Sequence, residues 1–246
     1  MHDSRMTKVC LTLASSLFML MVSCSSARAQ ELETKLARRV TAFDSESSST
    51  LGQLTDFARK FQIPMGIEWQ DKSEGGLTPP IHARNTTAQH ILGQILQAEP
   101  GNRYRVREGI VHVFALPILN DSRNFLNLRI PTFQVENESL FGAEFLLRVS
   151  IHRVLNPSQG YGGGHGHGVP RNDMFDVRNL SFAFTGATVR QILDGIVARQ
   201  GNALWVVRMN PSRLMDNGRF YVQLASPTGK EPAPDFYWQF IPLSYD

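Results

Sequence analysis

The sequence predicts an α+β fold: two tandem small domains of β-α-β type, with helices packed on short sheets. Three observations predict it. Stretches with apolar residues at helical spacing alternate with stretches of period two. Each helix-like stretch opens on Ser or Thr, and Pro or Gly follows its end. The whole plan then recurs about one hundred residues later.

The N-terminus stands outside this plan. Arg5 and Lys8 precede an apolar run, Val9 to Val22, shorter than the ~20 residues a spanning helix needs. Ala27-Arg28-Ala29 places small residues where a signal peptidase reads them, so 1–29 is expected to be a secretory signal peptide. Met21-Val22-Ser23-Cys24 also resembles a bacterial lipobox, and cleavage before Cys24 would leave a lipid anchor. Cys10 and Cys24 both fall in this leader. The exported part is therefore expected to lack disulfides, thiolate metal sites and a cysteine nucleophile.

The first domain is expected over 30–116. Ser49 or Thr50 caps a helix with Leu51, Leu54, Phe57, Ala58 and Phe61 on one stripe. Pro64 ends it, and Met65, Ile67 and Trp69 alternate as a strand. Ile81-His82-Ala83 is a second strand. Thr86 or Thr87 caps a second helix with Ala88, Ile91, Leu92, Ile95 and Leu96. Tyr104/Val106 and Ile110–Phe114 form a hairpin around Glu108-Gly109. After a linker at 117–125, the second copy is expected over 126–228. Leu126/Leu128/Ile130 reads as its first strand, and Leu140, Ala143, Leu146 and Leu147 mark its first helix. Thr87–Arg107 aligns with Thr188–Arg208: Ile91-Leu92 falls on Ile192-Leu193, Ile95 on Ile196 and Gly101-Asn102 on Gly201-Asn202. The different offsets of the first and second helices place an insertion at about 156–173. An aromatic tail, 229–246, closes the chain.

This order of elements, with L-x-x-L-x-x-F-A, then T-x-x-x-I-L-x-x-I-L, a Gly-Asn stop and I-V-H-V-F, resembles the short N-terminal domain of secretins and TonB-dependent receptors. The first copy covers about 43–114 and a diverged second copy about 126–224. The resemblance implies small β-α-β units and a role in protein–protein contact in the periplasm. It carries no catalytic signature and does not extend to the family's pore or barrel.

Composition narrows the function. With 246 residues, 42% hydrophobic and 19% charged, the chain is neither disordered nor fibrous. The net charge of +3 falls to +1 without the leader, which argues against nucleic acid as a partner. Gly160-Tyr161-Gly162-Gly163-Gly164-His165-Gly166-His167-Gly168 reads as a surface loop. His165 and His167 are candidate ligands for Cu(II), Ni(II) or Zn(II), with Asp173 or His152 to complete a set. The same run also fits a plain flexible insertion, because glycine does not pre-organise two imidazoles.

Arg103, Arg105 and Arg107 alternate opposite Tyr104 and Val106, as a solvated sheet face or a contact for an acidic partner. Phe236, Trp238 and Phe240 share a face if extended; they either complete a sheet or form a partner-binding strand. His82, His90 and His112 form no metal motif, and neither a P-loop nor G-x-S-x-G occurs. The expectation is an exported, non-enzymatic interaction module of the periplasm. It would need no cofactor, bind another envelope protein and meet the membrane only through Cys24. The alternative is a periplasmic metal-binding or metal-sensing protein using the Gly/His loop.

Overall fold

A computed structural model of the chain describes residues 28–70, 77–120, 124–155, 157, 179–201, 203–209 and 236–242. The first half runs through a helix at 28–37 (α1), β1 (Arg39–Ser45), α2 (Thr50–Phe61), β2 (Met65–Gln70), β3 (Ile81–Thr87), α3 (Ala88–Gln97), β4 (Asn102–Arg107) and β5 (Ile110–Ala115). A helical turn, α4 (Leu116–Leu119), and a 3-10 turn (Phe125–Asn127) connect the halves. The second half holds β6 (Arg129–Glu138), α5 (Leu140–Leu155), β7 (Leu180–Thr188), α6 (Val189–Gln200), β8 (Ala203–Met209) and β9 (Phe236–Pro242). The fold class is α+β.

Local chemistry sets the boundaries. Ser49 Oγ accepts the Gly52 N–H at the start of α2, and Thr87 Oγ1 accepts the His90 N–H at the start of α3. Thr188 does the same for Gln191 in α6, whose side chain returns to the Thr188 N–H and completes a capping box. Glu108 and Gly109 both take positive φ, 53° and 81°, as the tight β4–β5 turn requires. The strand expected from Leu126 begins only at Arg129. Asn124 accepts the Leu126 N–H, and this bond coils 125–127 into the 3-10 turn that buries Leu126.

Among the described residues the strands form three sheets. β1 pairs antiparallel with β3, and β6 antiparallel with β7. The third has five strands in the order β4-β5-β2-β8-β9. Its inner neighbours β5, β2 and β8 are parallel, while β4 and β9 run antiparallel at the ends. The two halves therefore share one sheet, joined where β2 of the first pairs with β8 of the second. The aromatic tail supplies β9, the end strand beside β8.

Side-chain alternation splits this central sheet between two cores. Met65, Ile67, Val111, Val113, Leu204 and Val206 join the core of α1, α2, α3 and the β1–β3 pair. Ile110, Ala115, Ala203, Trp205 and Val207 join the core of α5, α6 and the β6–β7 pair. Each half thus packs its helices and a two-stranded sheet against one face of the shared sheet. At about 1.5–3 kcal/mol per fully buried large apolar side chain, the two cores hold the halves together through the central strands.

β2 departs from the simple amphipathic strand that Met65/Ile67/Trp69 suggests. It is the middle strand, with helices on both faces, so Gly66 and Glu68 are buried as well. Gly66 is required there: a Cβ would stand 2.5 Å from the Trp205 ring.

Candidate functional site

Burying Glu68 in the middle of the sheet forces it to find partners, because an unpaired carboxylate there costs several kcal/mol. It finds them across the junction of the halves. Arg190, in the first turn of α6, grips Glu68 in a two-pronged contact. Nε meets Oε1, and Nη2 donates to Oε2 at 2.9 Å. The connector adds Asn124 Nδ2, 3.4 Å from Glu68 Oε2, and Asn127, whose Oδ1 accepts from Arg190 Nη1.

His112 on β5 is fully buried beside them. Arg105 of β4, a pure donor, lies 3.4 Å from Nδ1, which assigns Nδ1 as the acceptor and places the ring proton on Nε2, toward Glu68. Nε2 is 2.7 Å from Glu68 Oε1, but off the N–H axis, so this contact is electrostatic rather than a formed hydrogen bond. Burial alone would push the Glu68 carboxyl up. The contacts with His112 and Arg190 outweigh it and hold Glu68 below the ordinary carboxylate range.

Asp194 lies one turn after Arg190 on α6 and accepts the Trp205 indole N–H at 2.9 Å. Burial dominates its ionisation and raises it to about 6, against the lowering pull of His112 and Trp205. The His112 ring centroid is 5.6 Å from those of Trp205 and Phe114. These side chains come from β2, β5, α6, β8 and the connector. The arrangement is a buried clasp, with charge satisfied internally. It does not present a free acid or base to an outside molecule.

Sequence reasoning missed this cluster. Glu68 reads as the polar side of an alternating strand, and His112 reads as isolated. The available signal was Arg190 and Asp194, charges at i and i+4 on a helix whose other inner positions are Ile192, Leu193, Ile196 and Val197.

The predicted site residues are not among these side chains. His165, His167 and Asp173 are outside the described residues, as are residues 1–27 of the leader, with Cys10 and Cys24. Among the described residues, no group of three or more His, Cys, Asp or Glu is placed to hold a metal ion. None of their helices is long and apolar enough to cross a membrane. Phe236, Trp238 and Phe240 fall on β9, in register with Met209, Val207 and Trp205. His82 and His90 are exposed, with His82 Nδ1 2.9 Å from Asp44.

The arginine row behaves as three different side chains. Arg103 is exposed and donates to the carbonyls of Pro100 and Asn102, and Arg107 is exposed beside Glu108. Arg105 is half-buried, with its guanidinium carbon 5.2 Å from the Phe114 ring centre. Comparison with family models, curated proteins and solved structures returned no match.

Proposed function

We propose that the protein is an exported cell-envelope protein acting as a non-enzymatic protein–protein interaction module in the periplasm. The carrying observation is how its charge is used. The one deeply buried constellation among the described residues, Glu68–His112–Arg190–Asp194, is spent on joining two halves of the same chain. Among the described residues the shared sheet, in contrast, ends in the strands β4 and β9, which suit contact with another chain. The leader-like N-terminus supports export, and the resemblance of 43–114 to the short N-terminal domain of secretins and TonB-dependent receptors supports a contact role.

The test is in-cell crosslinking of the epitope-tagged full chain, followed by identification of crosslinked species and metal analysis of the purified protein. One envelope protein recovered in near-equal amount, and equally with His165→Ala/His167→Ala, is the expected result. Stoichiometric metal that disappears in that variant, with no protein partner, would overturn the proposal and favour the metal-binding alternative.

A further inference from the structure

The two hairpins of the central sheet occupy equivalent places in their halves. The strands begin at Asn102 and Ala203, an offset of 101 like that of α3 and α6, so Tyr104 and Val106, which face their own half's core, correspond to Trp205 and Val207, and Arg103, Arg105 and Arg107 to Leu204, Val206 and Arg208. On β8 one edge pairs with β9 and the other receives β2 in parallel over Met65–Gln70. On β4 one edge pairs with β5, and β4 then ends the sheet. The molecule thus shows what the β8 edge accepts, and the equivalent edge of β4 lacks that neighbour among the described residues.

The guest on β8 has a recognisable pattern. Met65 and Ile67 face the α2–α3 core, and Glu68 faces the other side, toward Arg190. β4 offers the same division. Tyr104 and Val106 pack against the α2–α3 core, and the arginines hold the other face. Glu108 neutralises part of the Arg107 charge, leaving a positive row.

We propose that the edge of β4 left without a strand among the described residues accepts an extended segment of a partner protein, running parallel to β4. The segment would carry acidic side chains on the Arg103/Arg105/Arg107 face and apolar ones on the Tyr104/Val106 face. This rests on the interaction-module reading and names its surface. Backbone pairing gives the affinity, and the alternating acids choose the face and register.

The probe is a dye-labelled heptapeptide of alternating glutamate and valine, titrated against the full chain by fluorescence anisotropy. Its counterparts have lysine for glutamate, or N-methyl groups at alternate residues so that the ladder cannot form. The acidic peptide should bind and the other two should not. Arg103→Glu/Arg107→Glu changes only exposed side chains; it should weaken binding at least tenfold and leave the melting temperature unchanged. Equal binding of the N-methylated peptide would reduce the contact to loose charge attraction and overturn strand addition. No binding, or binding indifferent to the double variant, would also overturn it. So would self-association of the variant with peptide affinity unchanged, because the arginines would then only keep copies apart. If the crosslinked envelope partner survives the double variant, the interaction-module reading stands and this surface does not.

Discussion

β4 and β8 hold the same position in their halves and carry opposite chemistry. β8 has a strand on each edge, and its residues Ala203 to Val207 are all buried. β4 has a strand on one edge, and three of its six residues are arginine. The neighbours, more than the topology, decide what a strand position requires. Where β2 covers the edge, Trp205 fills the space over Gly66. Where nothing in the described fold covers it, Arg105 lays its guanidinium on Phe114 and leaves two exposed arginines at its sides. The junction where β2 meets β8 is therefore the place to test how the halves depend on each other.

The strongest test removes one side of the clasp. Glu68→Leu leaves Arg190 buried without its anion, and breaking a buried pair in this way costs about 3–5 kcal/mol. The double variant Glu68→Leu/Arg190→Met should recover most of that loss, because both charges leave together. Urea unfolding of the two variants measures it. A loss below ~1 kcal/mol in the single variant would mean that apolar burial alone seats the halves.

Asp194 gives the next largest effect, and its sign is opposite to that of most paired carboxylates. In the folded protein burial raises it to about 6, while its ordinary value is 3.8. Folding therefore takes up a proton between these limits. Stability from this group is lowest above pH 6 and rises as pH falls toward about 4, by up to ~3 kcal/mol. Glu68, held below its ordinary 4.5, contributes stability above that value and loses it as acid protonates it further. The two together predict greatest stability on the acidic side of neutral. Asp194→Asn should flatten the rise between pH 7 and 5 in a denaturation series; an unchanged slope would assign the titration elsewhere.

Gly66→Ala comes third. The added carbon meets Cε2 and Cζ2 of a fully buried Trp205, and overpacking of this kind costs about 1–3 kcal/mol. The same change at Gly93, whose Cβ would meet nothing within 4 Å, should be neutral or slightly stabilising. Thermal melts of the pair separate a crowded β2–β8 contact from a general intolerance of alanine.

These residues also mark how far the sequence could be read. The helices were legible because caps and apolar stripes are local: Thr87 and Thr188, Leu54/Phe57/Ala58 and Ile91/Leu92/Ile95 lie where the spacing puts them. The fold class followed from the same signals. The shared sheet was not legible, since the pairing of β2 with β8 joins residues about 140 apart, and no local pattern encodes it. The clasp was hidden for the same reason. Glu68 alternates correctly with Met65 and Ile67, and only the second helical layer turns its polar face into an interior. Leu126 misled in the other direction, because its apolar alternation with Leu128 and Ile130 outweighed the Asn124 turn that bends the chain before β6.

The smallest expected effect compares the caps of the two equivalent helices. In both halves the first helical N–H is taken by the residue just before the paired strand: Ala88 donates to Arg38 O at 3.2 Å and Val189 to Leu128 O at 3.0 Å. The caps themselves differ. Thr87 serves α3 alone, while Thr188 and Gln191 exchange two bonds at α6, with the Thr188 N–H at 2.8 Å from Gln191 Oε1. Thr87→Ala and Thr188→Ala should each cost about 1 kcal/mol. Gln191→Ala should add only a few tenths, because the Thr188 N–H lies at the half-exposed start of the helix, where water can replace the lost partner. Arg190, the next residue, is held by Glu68. If Gln191→Ala instead costs as much as Thr188→Ala, the capping box is what aims Arg190 at the junction, and the second half spends its extra cap on seating itself against the first.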